Sequence, residues 1–140
     1  MSSPENGTEF PRNRQPTMRT VAMPADTNPY GQIFGGWIMA QMDLAGSVLA
    51  IEYAQGRVAT VAVHSMEFHQ PVTVGDLVSS FARIERIGTT SITVRVEVFA
   101  QRPALCVKVT EAVIVYVAVD GEGQRRPLPE HEPAFQSVYG

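Results

Sequence analysis

Cysteine is almost missing from the 140-residue chain: Cys106 stands alone. One thiol cannot close a disulfide within the chain, which removes a disulfide-stapled scaffold and favours a reducing compartment. Long uncharged apolar runs are missing as well. The nearest, GGWIMAQMDLAGSVLA from Gly35 to Ala50, is interrupted by Asp43 and falls short of the ~18 residues that a membrane helix needs. The opening MSSPENGTEFPRNRQPTM has no apolar stretch of the kind a secretory signal carries. Positive charge is not in excess. A net charge of −3 draws no polyanion, which argues against nucleic acid as a partner. The three histidines, His64, His69 and His131, lack metal-motif spacing, so no metal is expected. What remains is a cytoplasmic globular protein bound to neither membrane nor nucleic acid. Its 44% hydrophobic content, against 18% charged, suffices for one core.

Three segments organise the chain. Residues 1–17 read as a flexible leader, 18–120 as the folded domain, and 121–140 as a tail broken by prolines and a turn. Within the domain, a short strand at 18–23 is followed by a long loop, PADTNPYGQIFGG, at 24–36. An apolar helix follows from about Gly36 to Ala54 and is stopped by Gln55-Gly56. Four long strands come after it, at 57–68, 77–88, 90–101 and 105–119. The third of these alternates Ile92, Val94, Val96 and Val98 with Thr93, Arg95 and Glu97, which is period two with one wet face. Short links at Gly88-Thr89 and Arg102-Pro103 imply antiparallel hairpins. The expected fold is α+β, one long antiparallel sheet curved around one central helix. That helix is apolar nearly all round, and a single sheet cannot cover it, so a second protomer is expected to close it.

Asp43 is the residue that needs explaining. A carboxylate on such a helix is costly to desolvate unless paired. It can satisfy itself on the backbone, Gln41 or Ser47, or it can serve as a general base or nucleophile. The loop ahead of the helix bears on that choice. Gly31, Gly35 and Gly36 surround the helix start, where free N–H groups and the helix dipole make a ready oxyanion site. The glycines can equally ease packing. Asn28, in DTNPYG, is either a turn former or an amide that orients water or a carbonyl. Asp43 lies seven residues beyond Gly36, about 10 Å along the axis, so one substrate atom cannot sit against both in the same chain. A site using both is expected to be shared between two chains.

MPADTNPYGQIFGGWIMAQMD followed by GRVATVAVHSMEFHQPVTVGD resembles the YciA-type acyl-CoA thioesterases of the hotdog fold, over about residues 18–120. The resemblance implies hydrolysis of acyl-CoA to a carboxylic acid and coenzyme A. It makes Asp43 the catalytic carboxylate and places Asn28 opposite it from the other protomer, with the Gly36 N–H polarising the thioester and Gly35 beside it. Thr60 is then a helper of the carboxylate or water, although a strand threonine needs no such role. Arg57, Arg86 and the loop Gly88, Thr89, Thr90 and Ser91 match the places where the family holds the coenzyme A arm. Arg83, Lys108, Arg125 and Arg126 are further cations for its phosphates, and solvated surface charge is the plainer alternative for each. The resemblance also implies no metal, no cofactor beyond the substrate's own coenzyme A, and a homodimer assembled into a hexamer, a trimer of dimers. Pro29, Tyr30, His64 and His69 depart from the family pattern, which bears on acyl preference. Two rivals remain. An acyl-thioester dehydratase wants a histidine in the 24–36 loop, which has none. A non-catalytic acyl-CoA binding module would normally carry an effector domain.

Overall fold

The computed structural model describes residues 7–131. Its elements are β1 (Met18–Val21), a single 3₁₀ turn at Pro24–Asp26, α1 (Gly35–Ala54), β2 (Val58–Phe68), β3 (Leu77–Ile87), β4 (Ser91–Arg102) and β5 (Leu105–Ala118). All pairings are antiparallel, in the order β1-β3-β4-β5-β2. The hairpins β3–β4 and β4–β5 are as the short links imply. β2 does not pair with β3, its successor in sequence. The segment from His69 to Asp76 carries the chain from one edge of the sheet to the other side.

Burial follows the alternation in sequence. Ile92, Val94, Val96 and Val98 of the central strand are fully buried, as are Ala45 and Met42 of the helix. The opposite face of the sheet carries an ion-pair ladder. Arg95 joins Glu85 at 2.7 Å and Glu111 at 2.9 Å, while Lys108 joins Glu111 at 2.8 Å and Glu97 at 3.1 Å. Hydrogen bonding from Lys108, partly opposed by burial, holds the Glu111 carboxyl below its usual range. The helix ends with Gln55 in the left-handed region (φ 54°, ψ 47°), its N–H donating to the Ile51 carbonyl.

Residues 7–17, part of the segment read as a flexible leader, lie against the outer face. Phe10 meets Phe81 and Phe99 edge-on at 5.5 and 6.1 Å, and Arg14 reaches Glu97 at 2.8 Å. The described part of the tail folds back similarly. Arg126 Nη2 donates to the Ala54 carbonyl at 2.9 Å, and the His131 ring lies against that of Tyr53, centroids 4.1 Å apart and tilted by 54°. The remaining residues of both segments, 1–6 and 132–140, lie outside the described ones.

The helix is not surrounded within one chain. Leu44, Val48 and Ile51 form an exposed stripe on it, Met39 is exposed nearer its start, and the free edge strand β2 adds exposed Val61, Val63 and Phe68. Five strands cover one side of a helix and leave the other open, because a sheet this narrow cannot close into a barrel. No helix among the described residues is long and apolar enough to cross a membrane.

Candidate functional site

The helix faces presented by Gly36, Ala40 and Asp43 recur every three to four residues, so they line one side of a groove. The opposite wall is β2. The groove encloses about 250 Å³ and is lined also by Met39, Thr60, Val63, Met66 and Ile114. Asp43 is half-buried on this wall rather than sealed in the core, because the helix side next to it is uncovered. Its carboxylate is not spent on its own backbone, on Gln41 or on Ser47, whose hydroxyl donates to the Leu44 carbonyl instead. Thr60 Oγ1–H donates to Asp43 Oδ1 at 2.8 Å. One carboxylate oxygen is thereby oriented.

Beneath Asp43 lies Tyr116, fully buried, whose hydroxyl donates to the Asp43 carbonyl at 2.9 Å. Burial, and then the neighbouring Asp43 charge, raises the phenol above its ordinary value, so it stays a protonated donor. Tyr116 can approach the helix this closely because Gly46 faces it. A Cβ at Gly46 would fall far inside contact distance of the hydroxyl and 3.1 Å from ring carbons. Sequence reading missed this pair. An isolated glycine inside an apolar helix costs ~1 kcal/mol relative to alanine and was the available signal.

The two entry glycines differ. A Cβ at Gly35 would rest 3.6 Å from the Phe68 ring, an ordinary contact, whereas at Gly36 it would meet nothing within 4 Å. Packing inside the chain therefore does not require Gly36, and its missing side chain opens the helix terminus to an approach from outside. The first ordered amide returns come later, from Trp37 and Ile38 to the Phe34 carbonyl. The Gly35 and Gly36 N–H groups come before the first intrahelical donor, Trp37, and are among the helix-end amides with no partner within the helix.

Asn28 takes the turn role. Its side-chain oxygen accepts the N–H groups of Tyr30 and Gln32 at 2.9 and 3.0 Å, which leaves only the amide NH₂ as an outward donor. It does not line the Asp43 groove. Gly88 and Thr89 sit at the far end of the helix, in a cleft of about 400 Å³ shared with Tyr53 and the tail residues Pro127 to His131. Ten residues of helix separate Tyr53 from Asp43, about 15 Å. Thr90 and Ser91 use their carbonyls to hold the Ala118 and Gly88 N–H groups. Arg57 donates to the Gly121 carbonyl at 3.1 Å, and Arg86 is exposed on β3. Lys108 and Arg126 are committed to internal partners, the first to the outer-face ladder and the second to carbonyls of Ala54 and Val119. His64 and His69 are both exposed, and a register shift between them breaks the regular alternation. Cys106 is half-buried, and burial pushes its thiol up. Among the described residues, no three His, Cys, Asp or Glu side chains converge as a metal site requires.

Residues 30–107 match the model of the thioesterase superfamily. The acyl-CoA thioester hydrolase YciA of Salmonella typhimurium is 53% identical over 117 residues, spanning 80% of this chain and 88% of that protein. A hexameric thioesterase of Yersinia pestis superposes with a TM-score of 0.80 at 50% identity, covering 86% of this chain and 99% of that one. A hexameric hotdog-fold thioesterase of Campylobacter jejuni gives 0.81 at 40% identity, covering 90% and 96%.

Proposed function

Because the chain belongs to the thioesterase superfamily, we propose that it hydrolyses acyl-coenzyme A to the free acid and coenzyme A by attack of a water that Asp43 deprotonates. The hydrogen bond from Thr60 to Asp43 Oδ1 carries this reading. It fixes the carboxylate on an apolar groove, where it takes the proton of a water poised at the thioester carbonyl. The tetrahedral intermediate needs donors for its oxyanion, and the open Gly36 N–H at a helix terminus is of the right kind. The leaving thiolate then takes up the proton held by Asp43. Carboxylate, water and amide suffice, so this reading calls for no metal and no cofactor.

Gly36 and Asp43 of one chain stand about 10 Å apart along the axis, too far to act on one carbonyl. The site is therefore shared: Asp43 of one protomer faces the Gly36 amide of its partner, with Asn28 supplying its free NH₂ group. The uncovered stripe of Leu44, Val48 and Ile51, with exposed Met39, beside the unpaired edge of β2 is the surface on which such a dimer closes. A trimer of these dimers gives the hexamer that relatives form. Arg57 and Arg86, with the loop from Gly88 to Ser91, hold the phosphate-bearing arm. The single thiol suits the reducing cytoplasm.

Release of free thiol from acyl-CoA tests the reaction, and Asp43→Asn should lose a factor of ~10²–10⁴ in kcat. Activity near wild type in that variant refutes the assignment. Single turnover in ¹⁸O-water should leave the Asp43 carboxylate unlabelled, whereas label in it would mean direct attack and an anhydride. Mixing Asp43→Ala protein with a Gly36-defective one should restore activity in hybrid dimers. Failure to restore any argues against a shared site.

A further inference from the structure

A hydroxyl from the sheet meets the main chain of α1 in its middle, at Asp43. Tyr116 O–H donates to the Asp43 carbonyl at 2.9 Å. Two other side chains reach helix carbonyls from outside the helix, Arg126 at Ala54 and His131 at Tyr53. Those carbonyls lie in the last turn, where the helix offers them no N–H, so they gain a cap. The Asp43 carbonyl needs none. Mid-helix it accepts the N–H four residues on, and Tyr116 takes its second lone pair. A buried hydroxyl and a glycine inside a helix each cost stability. Tyr116 is fully buried, and Gly46 is what lets its hydroxyl reach the helix. Two costly choices therefore serve one contact, and satisfying the helix backbone does not account for it.

The same rung of the sheet holds the other end of Asp43. Thr60 on β2 and Tyr116 on β5 are direct partners across the ladder, so their side chains stand on one face. Thr60 binds the carboxylate at Oδ1, 2.8 Å away, while Tyr116 binds the main chain of the same residue. The register of β2 slips immediately beyond this rung, where Val61 is extra, and again between His64 and Glu67. The groove residues Thr60, Val63 and Met66 are thereby spaced by three rather than two. Thr60 fixes one carboxylate oxygen against the strand, and Tyr116 fixes the helix against the same pair of strands. Both ends of the Asp43 side chain are then held. The Tyr116 contact lies on the buried side of the helix, within one protomer. A partner closing on the uncovered side leaves it unchanged.

We propose that Tyr116 is a positioning residue for the hydrolysis: it anchors the main chain of Asp43, so that the carboxylate held by Thr60 keeps one place on the groove, and Gly46 supplies the clearance this needs. This rests on the reading of Asp43 as the base. A misplacement of ~1 Å at a reacting group costs up to ~100-fold in rate, so anchoring the helix at its reacting residue bears on kcat. Tyr116 does not line the groove, and burial keeps its phenol protonated. It neither touches the substrate nor exchanges a proton with it. Its effect passes through Asp43.

The test is Tyr116→Phe, which keeps the ring and deletes the donor. In thiol release from acyl-CoA, kcat should fall by a factor of ~5, the equivalent of about one hydrogen bond, with KM unchanged. In an Asp43→Asn background, read in single turnover at high enzyme concentration, the same substitution should lower the rate no further. A purely structural role would lower it in both backgrounds. Val107→Ala is the control for stability. It truncates a buried core residue on β5, nine residues before Tyr116 and about 30 Å along the strand. It should lower Tm and leave kcat at the wild-type value. Gly46→Ala, which drives the hydroxyl off the carbonyl, should lower kcat as Tyr116→Phe does, and it serves should that variant fold poorly. An unchanged kcat in either variant, a further loss of equal size in the Asp43→Asn background, or an equal loss in Val107→Ala overturns the proposal and leaves the hydrolase reading intact. Activity near wild type in Asp43→Asn overturns that reading and this proposal together.

Discussion

Replacing Gly46 with alanine should destabilise the protein and its site together, although alanine is the better helix former. The propensity gain is ~1 kcal/mol. Against it stands the Tyr116 ring. The added methyl cannot coexist with the hydroxyl, and the ring carbons 3.1 Å away leave no slack. Tyr116 is fully buried beneath the helix, so it cannot swing into solvent. Overpacking of this kind costs ~1–3 kcal/mol. Any shift of the ring also weakens its hydrogen bond to the Asp43 carbonyl, ~1 kcal/mol, and strands a buried hydroxyl, a further ~1–3 kcal/mol. The net loss is on the order of 2 kcal/mol, or ~7 °C in Tm for a chain of this size. Thermal melts followed by circular dichroism, at one fixed protein concentration because assembly shifts Tm, would measure it. Tyr116→Phe in the Gly46→Ala background removes the atom nearest the new methyl, so the double variant should be more stable than the sum of the two single losses. A Gly46→Ala protein that melts at or above the wild-type temperature refutes the close-approach argument. So does strict additivity in the double-mutant cycle.

Other perturbations follow from the same contacts. Thr60→Val keeps the shape and deletes the hydroxyl that orients Asp43, so kcat should fall about 10-fold with KM little changed, the cost of roughly one hydrogen bond; steady-state kinetics would show it, and an unaltered kcat would remove Thr60 from the mechanism. The Tyr116 phenol is raised above 10.0 in the fold, so the stability it contributes is present below pH 10 and lost as pH rises further, when the unfolded phenol ionises first. Tyr116→Phe should flatten that alkaline limb in denaturant titrations. Glu111 is lowered from 4.5 by Lys108, so its contribution is present above pH 4.5 and lost on acidification below it; Glu111→Gln should flatten the acid limb. Charge reversal at Arg57 or Arg86 should raise KM for acyl-CoA more than it lowers kcat, and an unchanged KM would clear that residue of any part in coenzyme A binding.

Local pattern carried most of the architecture. Period-two alternation in residues 92–98 survives in the central strand, and short links became hairpins, because each depends on residues a few positions apart. Asp43 was legible as well, since a charge in an apolar helix is conspicuous by its cost. Asn28 could be read two ways, and its turn hydrogen bonds are visible only once the loop closes. The sequence by itself determined one helix, long antiparallel strands and an acid that demanded a reason. Tertiary structure alone decided which residues meet that acid. Thr60 reaches it from a strand seventeen residues on, and Tyr116 from seventy-three. The row of Thr60, Val63 and Met66 defies strand periodicity, because its spacing is set by two slips against β5, some fifty residues away. Register is an agreement between two distant segments, and neither segment alone records where the other will slip.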